Sequence, residues 1–446
     1  MPKFNWQMPE WPKFSFSRAA LKDELDAFAK AFRAVKRTLG KPQSPELVAH
    51  ALAKEAVTTS AIEGVNVDES VVMSSICKAL GVAYAPKGFT KDVRAEGVAQ
   101  MVLSVRADWN RPLSEALLKQ WHRALLTGRE NKIAIGEFRR HKAPMRVIRR
   151  LADGSVEIRY EAPPSERVPG EIRKFLKTWK ATATKPADVA LKAAFLHPHF
   201  ESIHPFEDGN GRVGRALVAK TLAEGLGMPL VLPVSTVIGR HRVAYYDEIN
   251  EASRSLDWTA WAAFFISVLT ETLTDFLSAM RFVAEKREYL GKYEPTLSER
   301  ARKVVLRMFE DGEAGAKAGL SAAKWMRMTK VSKATATRDL AELVDCGAIV
   351  AHGDGHQTHY RLNSPLCEPE DPINDPINGN LAEQVLRTIV RFPGLNRERV
   401  ALKVGRSVET VKRAVAALIA DGKIEHRGSK KTGGYWAVSR GIETRG

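Results

Sequence analysis

One stretch constrains this chain more than any other: His204-Pro205-Phe206-Glu207-Asp208-Gly209-Asn210-Gly211-Arg212-Val213-Gly214-Arg215. It places a histidine, a carboxylate, several small or polar positions and two arginines in close succession. The helix-compatible run Val213 to Glu224 follows, with Gly225 as the expected stop. This order of residues reads as a loop feeding a helix N-terminus, where free backbone N–H groups and the helix dipole attract anions. Asp208 suits a divalent cation, and the arginines suit phosphate oxygens. The local chemistry is that of a polyphosphate with Mg²⁺ beside a histidine base. Gly209 to Gly214 also spells G-x-G-x-x-G, but a dinucleotide site needs a buried strand before it. The preceding Ala193 to Glu201 is not a β-branched strand, so the Rossmann reading is set aside.

At these residues the sequence resembles the Fic family. The family signature H-P-F-x-D/E-G-N-G-R-x-x-R is met at every fixed position from His204 to Arg215. The resemblance implies a helical core that transfers AMP from ATP to a Ser, Thr or Tyr hydroxyl of a target protein, and to itself. It implies His204 as general base and Asp208 as the Mg²⁺ ligand. ATP would be cradled by the backbone around Gly209, Asn210 and Gly211, with the Asn210 side chain also donating, and by Arg212 and Arg215. Phe206 is grouped with this nucleotide site, although its ring and Pro205 are expected to anchor the loop in the core. The pair Tyr245-Tyr246 stands where the family borders the adenine; stacking on a purine and plain core packing both account for Tyr245.

A second segment, Thr59-Ser60-Ala61-Ile62-Glu63-Gly64, is similar to the family's inhibitory motif S/T-x-x-x-E-G/N, matching at Thr59, Glu63 and Gly64. The resemblance implies that Glu63 pairs with Arg215 and takes the place of the γ-phosphate. A carboxylate mimics phosphate for a guanidinium fork. Alone, the same string reads as an ordinary helix end with a glycine C-cap.

The chain has 446 residues, 44% of them apolar, which predicts two to four domains with real cores. Cys77, Cys346 and Cys367 are too few and too scattered for a disulfide framework or a zinc site, and a reducing cytoplasm is expected. The longest uncharged apolar run, Trp258 to Thr270, is shorter than the roughly 20 residues of a membrane span, so no membrane is expected. The net charge of +17 favours contact with nucleic acid or other anions.

The pattern along the chain predicts a mainly α fold: a helical core with a β-hairpin flap, followed by two small winged-helix (α+β) modules. Residues 1–110 hold an aromatic arm, a helix from Ser17 to Leu39, the inhibitory helix capped by Ser44, and a helical hairpin. Residues 111–290 form the catalytic domain, with Trp121 in the core and His122 at its edge. The runs around Arg146-Val147-Ile148-Arg149 and Val156 to Tyr160 alternate across Ala152-Asp153-Gly154-Ser155, a turn signal. The family carries a flap here that pairs with the target's main chain, so Val147 and Ile148 are the expected docking positions. The flap is basic, with Arg139, Arg140, Lys142, Arg146, Arg149, Arg150 and Arg159. A taste for acidic targets and a charge-protected sheet edge both account for that.

Modules at 296–364 and 380–446 repeat each other. Ser332, Thr335, Arg338, Leu343, Gly347, Ile349 and Tyr360 correspond to Ser407, Thr410, Arg413, Leu418, Gly422, Ile424 and Tyr435. Between them lies an acidic, proline-rich linker at 365–379. The basic second module, with its wing Arg427-Gly428-Ser429-Lys430-Lys431, suits DNA phosphates; a protein-binding or dimerising role is the alternative. Alternatives to AMP transfer are AMP removal, transfer of another phosphate-containing group, and a DNA-binding regulator with a nucleotide-sensing core. A homodimer is a further expectation.

Overall fold

The computed structural model describes residues 3–39, 44–84, 91–127, 133–150, 154–310, 312, 315–316, 319–353, 358–365, 381–391, 394–404, 407–428 and 433–438. The chain divides into two compact units, residues 1–276 with 381–446, and residues 277–380. Helices dominate, and each sheet among the described residues is a two-stranded hairpin.

The N-terminal aromatic arm is pinned by hydrogen bonds. Asn5 is buried, and its Nδ2 donates to Ser202 Oγ at 3.0 Å. Trp6 Nε1 donates to the Glu161 carbonyl at 2.7 Å, and Trp11 Nε1 to Glu171 at 2.9 Å. The helices α1 (Lys22–Thr38), α2 (Pro45–Ile62), α3 (Glu69–Leu80), α4 (Val93–Ala107) and α5 (Glu115–Leu125) follow. Helix α1 starts later than Ser17, whose hydroxyl instead receives the N–H of Ala20 in a turn. Ser44 and Ser114 cap α2 and α5 by accepting from the N–H groups of Leu47 and Leu117.

The flap pairs β1 (Arg146–Arg150) with β2 (Val156–Glu161), Arg146 opposite Glu161, with a register shift between Val147 and Ile148. Both of those side chains are exposed. Ala152 and Asp153 of the expected turn lie outside the described residues. Next come α6 (Val168–Trp179), α7 (Pro186–Ile203), α8 (Asn210–Leu226), α9 (Val234–Arg240), α10 (Arg242–Ala252) and α11 (Thr259–Tyr293).

Helix α8 is the centre of this unit. It packs against α2, α4, α5, α7 and α9, and nearly all its side chains are buried. Its buried polar residues Asn210, Arg212, Arg215 and Lys220 sit inside because each finds a partner there. It starts at Asn210, earlier than the apolar run indicates, and passes through Gly225 to stop at Gly227, which has φ +77°. Gly225 serves close approach: a Cβ there would lie 2.5 Å from Val189 Cγ2 of α7.

The apolar run at Trp258 is only the start of α11. This helix is long and apolar enough, by length and composition, to cross a membrane, although 56% of its most apolar window is buried inside the protein. Trp261, Phe265, Ile266 and Leu269 are among its buried side chains.

In the second unit, helices Glu299–Glu310, Ala322–Thr329 and Lys333–Asp345 precede the hairpin Ile349–His352 with His359–Leu362. Their core includes Trp325, Leu340 and Ile349. Residues 381–446 repeat the order: Leu381–Arg391, Arg397–Val404, Val408–Ala420, then Ile424–Arg427 with Gly434–Ala437. Their own core includes Val385, Val411, Leu418 and Ile424. The internal repeat is visible in detail. Ser332 and Ser407 each cap their helix at 3.2 Å, and Ile349 opposite Leu362 corresponds to Ile424 opposite Ala437. The linker from 366 on and wing residues Ser429, Lys430 and Lys431 lie outside the described residues.

Candidate active site

Glu55, Thr59 and Glu63 stand on one face of α2, one turn apart. Glu55 docks that face. It is buried, and its carboxylate accepts from Ser235 N at 2.9 Å and from Ser235 Oγ at the start of α9. Burial raises its pKa, and these hydrogen bonds oppose the rise. One turn on, buried Thr59 receives Arg215 twice: Nε to Oγ1 and Nη2 to the carbonyl, both at 2.8 Å. At the helix end, Glu63 Oε1 meets Arg215 Nη1 at 2.8 Å. Burial pushes Arg215 down, but Glu63, with Tyr245 and Glu201 adding, outweighs it and holds the guanidinium above its usual range.

The same carboxylate rests on α8. A Cβ at Gly211 would lie 2.2 Å from Glu63 Oε1 and 3.0 Å from Arg215 Nη1. Only a glycine in that first turn lets an acid come so close. Gly64 ends α2 with φ +73°, its N–H reaching the Ala61 carbonyl at 3.0 Å. Arg242 Nη2 and Tyr246 Oη donate to the preceding Ile62 carbonyl at 2.8 and 3.0 Å.

His204 ends α7 in the left-handed region, with φ 50° and ψ 60°. Its Nδ1 lies 3.3 Å from the Glu201 carbonyl. A carbonyl only accepts, so Nδ1 carries the hydrogen and Nε2 is left as the basic nitrogen. Burial, then the Arg139 charge, pushes its pKa down to about 4. Glu201 Oε2 lies 3.9 Å from His204 Nδ1. Burial, with the Glu63 charge adding, pushes Glu201 up to about 8.

The loop between the helices is locked by its own residues. Asn210 Oδ1 receives Phe206 N at 2.9 Å, and Asn210 Nδ2 donates to the Phe206 carbonyl at 2.8 Å. Both polar atoms of the Asn210 side chain thus hold the turn, with one amide hydrogen committed to Phe206. Gly209 sits at the helix start with φ +82°. Asp208 Oδ1 accepts from Gly209 N at 2.6 Å and from Arg212 Nη2 at 3.1 Å. The Phe206 ring is fully buried and stacks on His122 at 3.9 Å, so it is a core residue and not a nucleotide contact. His122 Nδ1 accepts from Gly136 N at 2.8 Å, so its Nε2–H donates to the Asp208 carbonyl at 3.0 Å. Burial pushes His122 down to about 4 and keeps it in that neutral form.

The tyrosine pair splits. Tyr245 is buried, with its hydroxyl 2.7 Å from His197 Nε2, which settles it as core. Tyr246 is 39% exposed beside Ile62. Arg139 leaves the flap set altogether. It is 1% exposed, donating through Nε to the His204 carbonyl at 2.7 Å and through Nη2 to the Pro163 carbonyl at 2.6 Å. Val147 and Ile148 stay on the flap, and nothing in the described contacts brings them to His204. Glu55, His122 and Arg242 were not singled out as site residues from sequence. For Glu55 the available signal was its spacing of one turn before Thr59.

Asp208 is the one carboxylate of the loop whose side chain is substantially exposed in contact with Arg212, at 38%. Among the described residues no group of three or more His, Cys, Asp or Glu could hold a metal by itself. A single carboxylate fits Mg²⁺, which commonly completes its shell with substrate phosphates and water.

Residues 112–222 match the Fic/DOC family, and residues 4–82 match a domain of unknown function, DUF4172. A probable protein adenylyltransferase of Aquifex aeolicus is 37% identical over 94 residues, 21% of this chain and 27% of that protein. A Fido domain-containing protein of Dictyostelium discoideum is 48% identical over 52 residues, 12% of this chain and 35% of that protein. The chain thus spans about a third or less of the length of these curated relatives. The crystal structure of a Fic family protein from Desulfovibrio desulfuricans aligns with 79% of this chain and 98% of its own, at 20% identity and a TM-score of 0.48. With its signature intact from His204 to Arg215, the segment 112–222 belongs to the Fic/DOC family.

Proposed function

We propose that this protein transfers AMP from ATP to a hydroxyl side chain of a target protein, and that Glu63 holds it silent at rest. One observation carries the reading: the Glu63 carboxylate lies on Gly211 in the first turn of α8, paired to Arg215 at 2.8 Å. A helix N-terminus beside a guanidinium is a place for phosphate, and an acid seated there competes with ATP.

With Glu63 withdrawn, Arg215 and the first N–H groups of α8 bind the outer phosphates, and Arg212 adds a second guanidinium. His204 Nε2 takes the proton of the target hydroxyl as that oxygen bonds to the α-phosphorus. The bond from that phosphorus to the bridging oxygen breaks, and pyrophosphate leaves. Asp208 would hold Mg²⁺ against the phosphates, where the ion's chemistry is neutralisation of charge on their oxygens. The exposed strand β1, at Val147 and Ile148, takes the target main chain by strand addition. The modules at 296–364 and 380–446 recruit partners, protein or DNA.

Labelled ATP tests this. Label is expected on protein treated with the Glu63→Gly form, and none with Glu63→Gly/His204→Ala. Absence of transfer from ATP in Glu63→Gly rejects the reading. Loss of AMP from a pre-modified target on addition of the wild-type chain would instead assign removal, with Glu63 positioning water.

A further inference from the structure

Arg139 is a buried cation with no carboxylate paired to it among the described residues. Four of its five N–H donors meet neutral acceptors: Nε on His204 O at 2.7 Å, Nη2 on Pro163 O at 2.6 Å and Ile203 O at 3.3 Å, Nη1 on Ser165 Oγ at 3.0 Å. Its main-chain N–H donates to Pro205 O at 2.9 Å. One residue therefore gathers the carbonyls of Ile203, His204 and Pro205 in succession. Burying a charge in this way is expensive unless every donor is satisfied.

Those three carbonyls belong to the turn where α7 stops. His204 there has φ 50°, and among the described residues the only other non-glycine residue with positive φ is Lys330. A side chain in that region is strained and persists only where its surroundings over-determine it. The Arg139 fork supplies that constraint. The same guanidinium also grips Pro163 and Ser165, just after β2, so the exit of the flap and the histidine turn share one clamp.

We propose that Arg139 is the positioning residue for the base: its guanidinium holds the 203–205 turn in the left-handed form from which the His204 imidazole meets the substrate hydroxyl. This rests on His204 being the base of AMP transfer. Lysine cannot replace it, because an ammonium offers a point charge where a planar fork is needed. The charge matters as well. The groups facing His204 are Arg139, Glu201 of α7, Glu63 from the end of α2 and Asp208 of the loop. Of these, Arg139 is the one that opposes a proton on the imidazole.

The test compares Arg139→Lys and Arg139→Gln in the Glu63→Gly protein. The expected result is a kcat lower by about 100-fold, the scale of a small misplacement of a reacting group, with the KM for ATP and the stoichiometry of ATP binding unchanged. An unchanged kcat, or kcat and binding stoichiometry falling in step as in a partly unfolded sample, overturns the proposal. A second measurement needs no transfer. In the otherwise wild-type chain, the His204 ring resonance, assigned by its loss in His204→Ala, should titrate at higher pH in Arg139→Gln and near the parent value in Arg139→Lys. Identical titration in all three overturns the role of the Arg139 charge at His204. If Glu63→Gly transfers no AMP, the functional reading fails, and this titration still decides the role of Arg139.

Discussion

The start of α8 and the end of α2 meet at Arg215, but they are held in different ways. The signature loop closes on itself and on its immediate supports: Asn210 on Phe206, Asp208 on Gly209 and Arg212, His122 under Asp208, Arg139 around His204. The end of α2 is held from outside, by Arg215 of α8 and by Arg242 and Tyr246 of α10. The Glu63 side chain keeps 30% of its surface exposed. The signature loop is thus held by its own residues and their immediate supports, whereas the end of α2 rests on side chains from other helices. On the proposed reading, release of Glu63 needs a helix end to move, not the loop to be rebuilt.

The largest effect should come from the loop itself. In the Glu63→Gly background, His204→Ala is expected to lower transfer by about 10²–10⁴-fold, the usual worth of a general base. ATP binding, measured by calorimetry, should survive; its loss would mean that His204 supports the loop instead. Arg215→Ala in the same background removes a charged hydrogen-bonding partner worth about 1.5–3 kcal/mol, so ATP affinity should weaken by about 10–150-fold. An unchanged affinity would remove Arg215 from the phosphate site and break the competition with Glu63. Smaller again is the outer latch. Tyr246→Phe deletes one hydrogen bond to the Ile62 carbonyl, worth about 0.5–1.5 kcal/mol, and should raise transfer about two- to tenfold when Glu63 is present. The same change in Glu63→Gly should do nothing to the latch; an equal gain in both backgrounds would assign Tyr246 to the nucleotide instead.

The last prediction concerns pH. His122, His197, His199 and His204 are all pushed down by burial, to about 4, 3, 3 and 4. The unfolded chain therefore binds protons that the folded one refuses, and stability should fall as pH drops below about 6.5, the ordinary histidine value. Glu201 has the opposite sign. Raised to about 8, it binds a proton in the folded state above the ordinary carboxylate range, so its contribution is lost as pH rises from about 4.5 toward 8. Thermal melts across this range should show both slopes, and Glu201→Gln should flatten only the alkaline one. A slope untouched by that change would place the titrating group elsewhere.

The helices whose ends carry local signals were legible. Ser44 caps the helix it was expected to cap, and Ser114, Ser332 and Ser407 cap theirs in the same way, because a cap is a contact over two or three residues. The pairing of Glu63 with Arg215 was legible only through resemblance, since 152 positions separate them. Gly225 was misread as a stop: sequence shows a glycine but not the α7 side chain that needs the room. Arg139 was misread as surface charge, since arginine is exposed by default and burial depends on acceptors brought from far along the chain.

By itself, then, the sequence determined the residue types of the loop, the helix ends and the twofold repeat near the C-terminus. All of these are written in spacing that a local backbone can read. Only the tertiary structure decided which donors face which acceptors. It spent the Asn210 amide on Phe206, sank Tyr245 into the core, docked Glu55 on Ser235 and wrapped Arg139 around the base. The reason is physical: a buried polar group must find its partner wherever the packed chain offers one, and that place is set by the fold and not by the neighbours in sequence.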